Sequence, residues 1–582
     1  MSEPTGGAAL VAELQRQGVD AAFGVVSVHN LPLVDALAHE LRWVPTRTES
    51  GAVNAADGYA RATGGLGCAV TSTGTGAGNA AGALIEALSA ATSLLHVTGQ
   101  IDSPWLGQGR GVIHETPQQL AMLDAVSTAA LAVTADADPA TTAAATLAAA
   151  TRLARGPQPG PVSVEWPIDL QYRPAGPRSG ADAGTAGEPD GAQAYGDTAV
   201  GDPDAVQGHS DDGDGDRDLD PGALAAAVAL LAAARRPLVW LGGGARSAPA
   251  AVEALVTALG AGVVTSNTGR GVLPESSDQR VVGNFATAAA CAPLLADADL
   301  LVTVGTHFRS NETRTYALPL PRPHVQIDLD PAAIGRCYPV DAPLVGPAQR
   351  WLPALLDGLA TTERPGPDPG WAARVAETRA ACRAALRADI GPFAAICDAL
   401  AQGLPPATNL VRDITIPNSA WGNRLLPVDD PTTNIYPRGG GIGQALAMGI
   451  GAAVGRPDRH TLVLIGDGGL QVQLGELATL RQERLDVTVV VFDDGGYGVL
   501  RNTQDRHVGR RSGVDLFTPD VAAAAAAHDL PCTRVDDAAD FGAALAARLS
   551  AGGPGVLHVD CDKIGPMPKP FTPPVDVPGV GT

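Results

Sequence analysis

The sequence predicts an α/β protein of three doubly wound parallel-sheet domains, and three observations carry that expectation. Short runs rich in β-branched residues recur along most of the chain. The stretches between them are Ala-rich and a dozen or more residues long, and one acidic segment poor in apolar residues interrupts the pattern. Strands joined by helical segments of that length pair in parallel, because a parallel crossover cannot be made by a tight turn. At 582 residues the chain has room for about four domains of ordinary size, or for fewer larger ones.

In chain order, residues 1–174 carry the runs DAAFGVV, GCAVTS, SLLHVTG and VSVEWP and form the first domain. Residues 175–221 are read as an acidic, disordered linker: twelve acids stand against Arg178 and Arg217 between Ala175 and Asp220, so nearly half of the net charge of −22 sits there. Its end, DDGDGDRDLDPG, resembles a calcium loop with Asp212, Asp214 and Asp216 at alternate positions. The pattern fails where such a loop is strictest, with Arg217 at the glycine turn and Ala223 in place of the bidentate Glu. Residues 222–362, with RPLVWLGG, GAGVVTS, ADLLVTVG and HVQIDLD, form a middle domain. Residues 363–582, with TLVLIGD, DVTVVVFD and GVLHVDC, form the third.

Composition narrows the function classes. The acidic balance leaves no basic patch to neutralise phosphates, which excludes a nucleic-acid binder. No apolar run is long enough for a membrane span, and no basic-then-apolar leader precedes the first strand, so the expectation is no membrane association and a cytoplasmic protein. Seven scattered cysteines without a C-x-x-C pair fit a reducing compartment and argue against both a disulfide framework and a zinc site.

The segment GDGGLQVQLGELATLRQERLDVTVVVFDDGGYG, residues 466–498, carries the chemistry. TLVLIGD and DVTVVVFDD read as strands, and the segment between them as a helix with Leu474, Leu477 and Leu480 at helical spacing. In a right-handed βαβ unit both strand ends open on one edge of the sheet, where such folds bind ligands, so Asp467 and Asp494 are brought together. Two carboxylates with glycine backbone close by suit Mg²⁺, whose oxygen shell is usually completed by phosphate. Gly468 and Gly469 open a helix whose amides favour an anion. The pair therefore reads as a metal site that holds a diphosphate, against the plainer reading of two strand-end acids.

On these residues the chain resembles the thiamine diphosphate (ThDP) dependent enzymes of the acetolactate synthase, benzaldehyde lyase and 2-oxo acid decarboxylase type. Their metal motif is a GDG followed, some way downstream, by usually two Asn. Here Asp493-Asp494 takes that place, 27 residues separating Asp467 from Asp494. The resemblance implies Asp467 and Asp494 as side-chain ligands of Mg²⁺ and Gly496 as a carbonyl ligand. Asp494 departs from the commoner Asn, and its extra negative charge beside a diphosphate needs compensation. RTESGAVNAADGYARATG is similar to the segment that carries the family's catalytic glutamate, here Glu49, which exchanges a proton with the pyrimidine ring. An enclosed apolar pocket raises such a carboxyl into range.

Further segments agree in order. TSTGTGAGNAAGALIEAL, with Thr73, Gly74 and Asn79, is similar to the glycine-rich turn of the family. RGGGIGQALAMGIGAA is similar to the stretch that wedges the cofactor, where Ile442 would support its bent form and the Gly440 carbonyl would meet the 4′-amino group. IPNSAW places Asn418 and Ser419 near the diphosphate. The resemblance thus implies the Pyr–middle–PP arrangement, with the pyrimidine domain first and the diphosphate domain last, and active sites built between subunits of a homodimer or homotetramer.

The resemblance implies a 2-oxo acid substrate, decarboxylated by way of an enamine that takes a proton or attacks a second carbonyl, an aldehyde or another 2-oxo acid. Carboligation, acetolactate synthase-like and hence transferase or lyase chemistry, is the favoured expectation. A non-oxidative decarboxylase or aldehyde lyase is the alternative, and a non-catalytic ThDP-binding subunit is a third reading. His114, in GVIHETPQQL, and His29, in GVVSVHNLPL, are candidates for substrate contact or proton movement, either of which could instead be a satisfied loop residue. FAD in the middle domain is possible but not favoured, because VWLGGGARSAP meets the dinucleotide fingerprint only in part. The Pro-rich end, IGPMPKPFTPPVDVPGVGT, reads equally as a lid or a disordered tail.

Overall fold

Three six-stranded sheets, each wholly parallel, organise the computed structural model, which describes residues 5–135, 139–173 and 219–573. The first contains β1 (Ala21–Gly24), β2 (Arg42–Pro45), β3 (Gly67–Thr71), β4 (Leu94–Gln100), β5 (Ala129–Ala132) and β6 (Pro161–Pro167), in the order 2-1-3-4-6-5. The middle sheet contains β7 (Pro237–Leu241), β8 (Gly262–Thr265), β9 (Val281–Gly283), β10 (Leu300–Val304), β11 (His324–Asp328) and β12 (Ala342–Val345), in the order 12-11-10-7-8-9. The third contains β13 (Asn409–Arg412), β14 (Asn434–Ile435), β15 (Thr461–Gly466), β16 (Val487–Asp493), β17 (Cys532–Val535) and β18 (Gly555–Asp560), in the order 14-13-15-16-18-17. The α/β class and the parallel sheets are therefore as the sequence predicts.

The orders carry more than the class. Counted within each sheet, the first and third have the same winding, so their chain reversals fall at equivalent places: between β1 and β3, and between β13 and β15. Loops leaving the carboxyl ends of strands at such a reversal form the ligand crevice of a doubly wound sheet. The middle sheet is wound differently, with the order of a dinucleotide fold.

The first and third domains share a core. The helix Glu49–Thr63 starts at Thr48, whose hydroxyl accepts from the Gly51 amide at 2.9 Å, and stops at Gly64 in the left-handed region with φ 71°. It crosses the helix Ala445–Gly455 of the third domain in a contact of backbone on backbone. A Cβ on Gly58 would stand 2.0 Å from the Met448 carbonyl oxygen, and one on Gly451 would stand 1.7 Å from that of Ala55. Ala52, Ala55, Ala56, Ala445 and Ala452 fill the remainder, which is why both helices are built of small residues.

The middle and third domains are also continuous. The helix Trp371–Ile390, which the sequence places with the third domain, packs on β8 and β9 of the middle sheet, and its Trp371 indole donates to the Pro237 carbonyl at 3.0 Å. Of the linker, all but its last residues lie outside the described residues. Asp220 caps the helix Pro221–Ala233 by accepting from the amides of Gly222 and Ala223. The described part of the Pro-rich end runs back along the third domain: the Lys569 amide donates to Asp389, Asn502 donates to the Phe571 carbonyl at 3.0 Å, and Arg506 to the Thr572 hydroxyl at 2.9 Å. Among the described residues, no helix is long and apolar enough to cross a membrane.

Gly451→Ala should force the two crossed helices apart and cost about 1–3 kcal/mol. A lowered urea midpoint for the whole chain, without a change in the slope of the transition, is the expected reading.

Candidate active site

β15 and β16 are neighbours with Gly466 opposite Phe492, so Asp467 and Asp494 leave the same edge of the sheet. Asp467 is 2% exposed, and among the described residues its Oδ2 has no hydrogen-bond partner; Asp494 Oδ1 is likewise buried and unpartnered among them. Burial, with the charge of Asp493 adding to it, pushes the Asp467 carboxyl up to about 6. Burial and then the charge of Asp467 push Asp494 up to about 7. The adjacent Asp493 behaves otherwise: it accepts from His558 Nε2 at 3.0 Å and from the Gly495 amide at 3.2 Å, and the His558 hydrogen bond holds it below the usual carboxylate range. Of the two acids in the sequence Asp-Asp, only Asp494 keeps an oxygen free.

Two buried carboxylates that repel one another, each with one oxygen that no donor reaches among the described residues, are a site short of a cation. Among the described residues no group of three or more His, Cys, Asp or Glu is arranged to hold a metal. A divalent ion at this pair would therefore complete its shell with backbone carbonyls, water or a ligand's oxygens, which suits Mg²⁺. The glycines leave the necessary room. A Cβ on Gly468 would meet the Tyr497 ring at 2.9 Å and the Gly496 carbonyl oxygen at 3.2 Å, and Gly496 has φ 139°. Arg501 fixes this turn from outside, donating to the carbonyls of Asp494 at 2.8 Å and Gly495 at 3.0 Å while pairing with Asp515 at 2.7 Å.

Asp413, just past β13, stands across the chain reversal from Asp467. Its Oδ2 accepts from the Gly443 amide at 2.7 Å, and a Cβ on Gly469 would lie 2.3 Å from it. Burial, opposed by these backbone donors, pushes its carboxyl up to about 6. Asp413 thus ties the Gly-rich turn 439–443 to the helix that follows Asp467. Gly440 has φ 93° with open space beside it, and Ile442 and Val472 are exposed at 36% and 52% next to that turn. Asn418 is fully buried: it accepts from Arg412 at 3.0 Å and donates to the Asp413 carbonyl at 2.8 Å. Ser419 lies half-buried in the same turn of helix, with its amide donating to the Thr415 carbonyl.

Glu49 begins its helix half-buried and accepts from the Asn79 side chain at 3.2 Å. The residue that positions it is Glu476, one helix beyond Asp467 and fully buried. Glu476 Oε1 accepts from the amides of Arg47 at 3.0 Å and Thr48 at 3.2 Å, and Oε2 accepts from the Thr479 hydroxyl at 2.7 Å. A carboxylate at that place also complements the positive end of the Glu49–Thr63 helix dipole.

The loops leaving β1 and β4 meet over the first sheet. His29 and His114 face each other with Nδ1 atoms 3.3 Å apart, which requires one ring to donate and the other to accept. Burial, followed by the neighbouring His114, lowers the His29 pKa. Beneath them Gln119 accepts from the Thr73 hydroxyl at 2.8 Å and the Gly74 amide at 2.6 Å and donates to the buried Glu165 at 2.7 Å. Gly74 is required at its place, because a Cβ there would stand 2.4 Å from the His114 carbonyl oxygen.

Within one chain these residues form two groups: Asp467, Asp494, Gly468, Gly469 and Gly496; and Glu49 and Asn79 beside the turn of Thr73 and Gly74 with the two histidines, a Cβ on Gly76 of that turn lying 3.0 Å from Glu49 Oε1. Among the described residues no hydrogen bond or ion pair joins Glu49 or either histidine to Asp467 or Asp494. Comparison with known proteins bears on what could unite them. Three family models match in order: the thiamine pyrophosphate enzyme N-terminal TPP binding domain over 4–124, the central domain over 224–355 and the C-terminal TPP binding domain over 417–559. A "Probable 2-ketoarginine decarboxylase" of Pseudomonas aeruginosa is 33% identical over 86% of this chain and 83% of its own length. The chain belongs to the thiamine pyrophosphate enzymes. An acetolactate synthase of Mycobacterium avium is 28% identical over 92% of the chain and 84% of its own length. A "Probable acetolactate synthase large subunit" of Methanocaldococcus jannaschii is 26% identical over 97% and 93%.

In this thiamine pyrophosphate enzyme the sequence reading missed Glu476, Asp413, Arg501 and Gln119. Glu476, Asp413 and Gln119 act on backbone far away in the chain, Arg501 acts one helical turn beyond the Asp494 turn, and none sits in a glycine-marked turn that would have drawn attention to it. Two outcomes are expected. In chelator, Asp494→Asn should be more stable than the parent chain by about 1–3 kcal/mol in urea titration, because a charge left unpaired inside the protein is removed. Glu476→Ala should strand two backbone amides and lower both stability and any Glu49-dependent activity, whereas Glu476→Gln, which keeps an acceptor, should retain most of each.

Proposed function

We propose that this chain decarboxylates a 2-oxo acid with ThDP and Mg²⁺ and passes the product to a second carbonyl, as a carboligase. The observation that carries the reading is the pair of buried, partnerless carboxylate oxygens of Asp467 and Asp494 on adjacent strand ends. Asp467, Asp494 and the Gly496 carbonyl would hold Mg²⁺, with Gly468 and Gly469 beside the diphosphate, Asn418 and Ser419 behind it, and Gly440 and Ile442 against the rings. When bound, ThDP supplies an electron sink for loss of CO₂. Glu49, oriented by Glu476 and Asn79, would move a proton at the pyrimidine ring, with Thr73 and Gly74 shaping that end.

The domain roles follow: residues up to 174 as the pyrimidine domain, 222–362 as the middle domain and the sheet β13–β18 as the diphosphate domain. Because Glu49 and Asp467 belong to separate groups in one chain, we place the complete site between subunits of a homodimer or homotetramer. Exposed apolar side chains near the separate groups, Val28, Ile113, Val472, Leu500 and Phe517, support a covering partner. Seven free cysteines support a cytoplasmic protein. FAD stays outside the proposal: in the middle domain Gly242 and Gly244 are pressed against the Gly305 backbone, and the proposed reaction needs no flavin.

Simple decarboxylation to an aldehyde is the second reading. The His29–His114 pair favours it as a ready proton donor to a carbanion-like product, as does the similarity to a protein named a decarboxylase. Incubation with ThDP and Mg²⁺ against a panel of 2-oxo acids, with and without aldehyde acceptors, should release CO₂ in a reaction that Glu49→Gln reduces at least about a hundredfold. A coupled product identifies the carboligase and free aldehyde the decarboxylase. Bound ThDP without turnover on any acid would leave the non-catalytic subunit.

A further inference from the structure

The Gly-rich turn 439–443 has a free centre and clamped flanks. Gly440 has φ 93°, and among the described residues no hydrogen bond engages its backbone. The backbone just ahead of it is held by side chains of the other two domains. Arg61 of the first domain donates to the Tyr436 carbonyl at 2.6 Å, and Arg309 of the middle domain donates to the Arg438 carbonyl at 2.6 Å. Glu86 of the first domain takes both amides: its Oε1 accepts from Arg438, and its Oε2 accepts from Gly439 at 2.6 Å. Beyond Gly440, Asp413 holds the Gly443 amide at 2.7 Å.

Glu86 is built for that grip. It lies in the helix Thr75–Ala90 and is 2% exposed, and a Cβ on Gly439 would stand 2.7 Å from its Oε2, so a side chain there would push the carboxylate away. Arg61 donates to its Oε1 at 3.2 Å but also pairs with Asp57 at 2.7 Å, so one guanidinium serves two buried carboxylates. A buried carboxylate needs donors on both oxygens, and the amides of Arg438 and Gly439 supply what Arg61 does not. Asn79, which donates to Glu49, stands about two turns earlier on the same face of the helix. The arrangement mirrors that of Glu476. Glu476 of the third domain holds the amides of Arg47 and Thr48 ahead of Glu49, and Glu86 of the first domain holds the amides ahead of Gly440.

We propose that Glu86 is a positioning residue, whose carboxylate sets the turn of Gly440 and Ile442 against the rings of ThDP. This role rests on the placing of that turn under the proposed function, and Glu86 itself touches no part of the cofactor. Loss of its grip would free the backbone at Arg438 and Gly439 while Asp413 still holds Gly443. The ring end of the cofactor would therefore lose its support, and the diphosphate end beside Asp467 and Asp494 would keep its own.

The test compares, by titration calorimetry on the full chain in saturating Mg²⁺, the binding of ThDP with that of inorganic pyrophosphate, which has the charged end without the rings. Glu86→Ala should weaken ThDP about ten- to a hundredfold and pyrophosphate less than about threefold. Glu86→Gln, which keeps one acceptor, should show the same selectivity at smaller size, and it decides the matter where the alanine variant does not fold. Equal weakening of both ligands would make Glu86 a general structural residue and overturn the proposal, as would unchanged ThDP affinity. Glu13→Gln removes another buried acid of the first domain, one that accepts from Thr151 and Gln17, and should alter neither ligand. A selective loss of ThDP there would reduce the effect to any buried acid of that domain and overturn the role of Glu86. A parent chain that binds no ThDP overturns the cofactor reading and this role with it, an outcome distinct from a parent and a Glu86 variant that bind it equally.

Discussion

The crossing of the helices Glu49–Thr63 and Ala445–Gly455 constrains everything around it. Backbone meets backbone at Gly58 and Gly451, with no side chain able to act as a spacer, so the first and third domains are fixed at one separation. The start of the first of these helices carries Glu49, and the turn before the second is the Gly-rich segment held by Asp413. Glu476 adds a second tie by gripping the amides just ahead of Glu49. A displacement at the crossing would therefore move the glutamate and the Gly-rich turn together. Close-packed interiors transmit such shifts rather than absorb them.

Electrostatics divides the site along the same line. The third domain presents two carboxylates that burial holds in a state ill-suited to charge, and the surrounding glycines admit the oxygens of a ligand without a side chain in the way. The first domain presents a glutamate with an amide neighbour, and two imidazoles that share a contact. The arrangement separates a carboxylate-lined crevice in one domain from a glutamate and two imidazoles in the other. Two domains of identical winding each offer their own chain reversal as a crevice.

Much of this was legible in the sequence, and the remainder was not for identifiable reasons. Alternation of strand-like and Ala-rich runs gave three parallel sheets, because that pattern depends on local periodicity. The Asp467–Asp494 pair was legible because one βαβ unit brings the two residues together. Glu476 was invisible because its partners lie more than 400 residues earlier. The helix Trp371–Ile390 was assigned by its place in the chain to the third domain, yet it packs on the middle sheet, a choice that only tertiary burial decides.

The last described residues of the chain are not idle. By pairing with Asp389, Asn502 and Arg506 they brace the helix Gly498–His507, and that helix carries Arg501, which clasps the turn at Asp494. The segment 569–572 is thus wired to the turn at Asp494, five residues from Arg506 to Arg501 along one helix. A cut within 569–572 would release the brace on this helix and loosen the turn at Asp494 while leaving the three sheets intact.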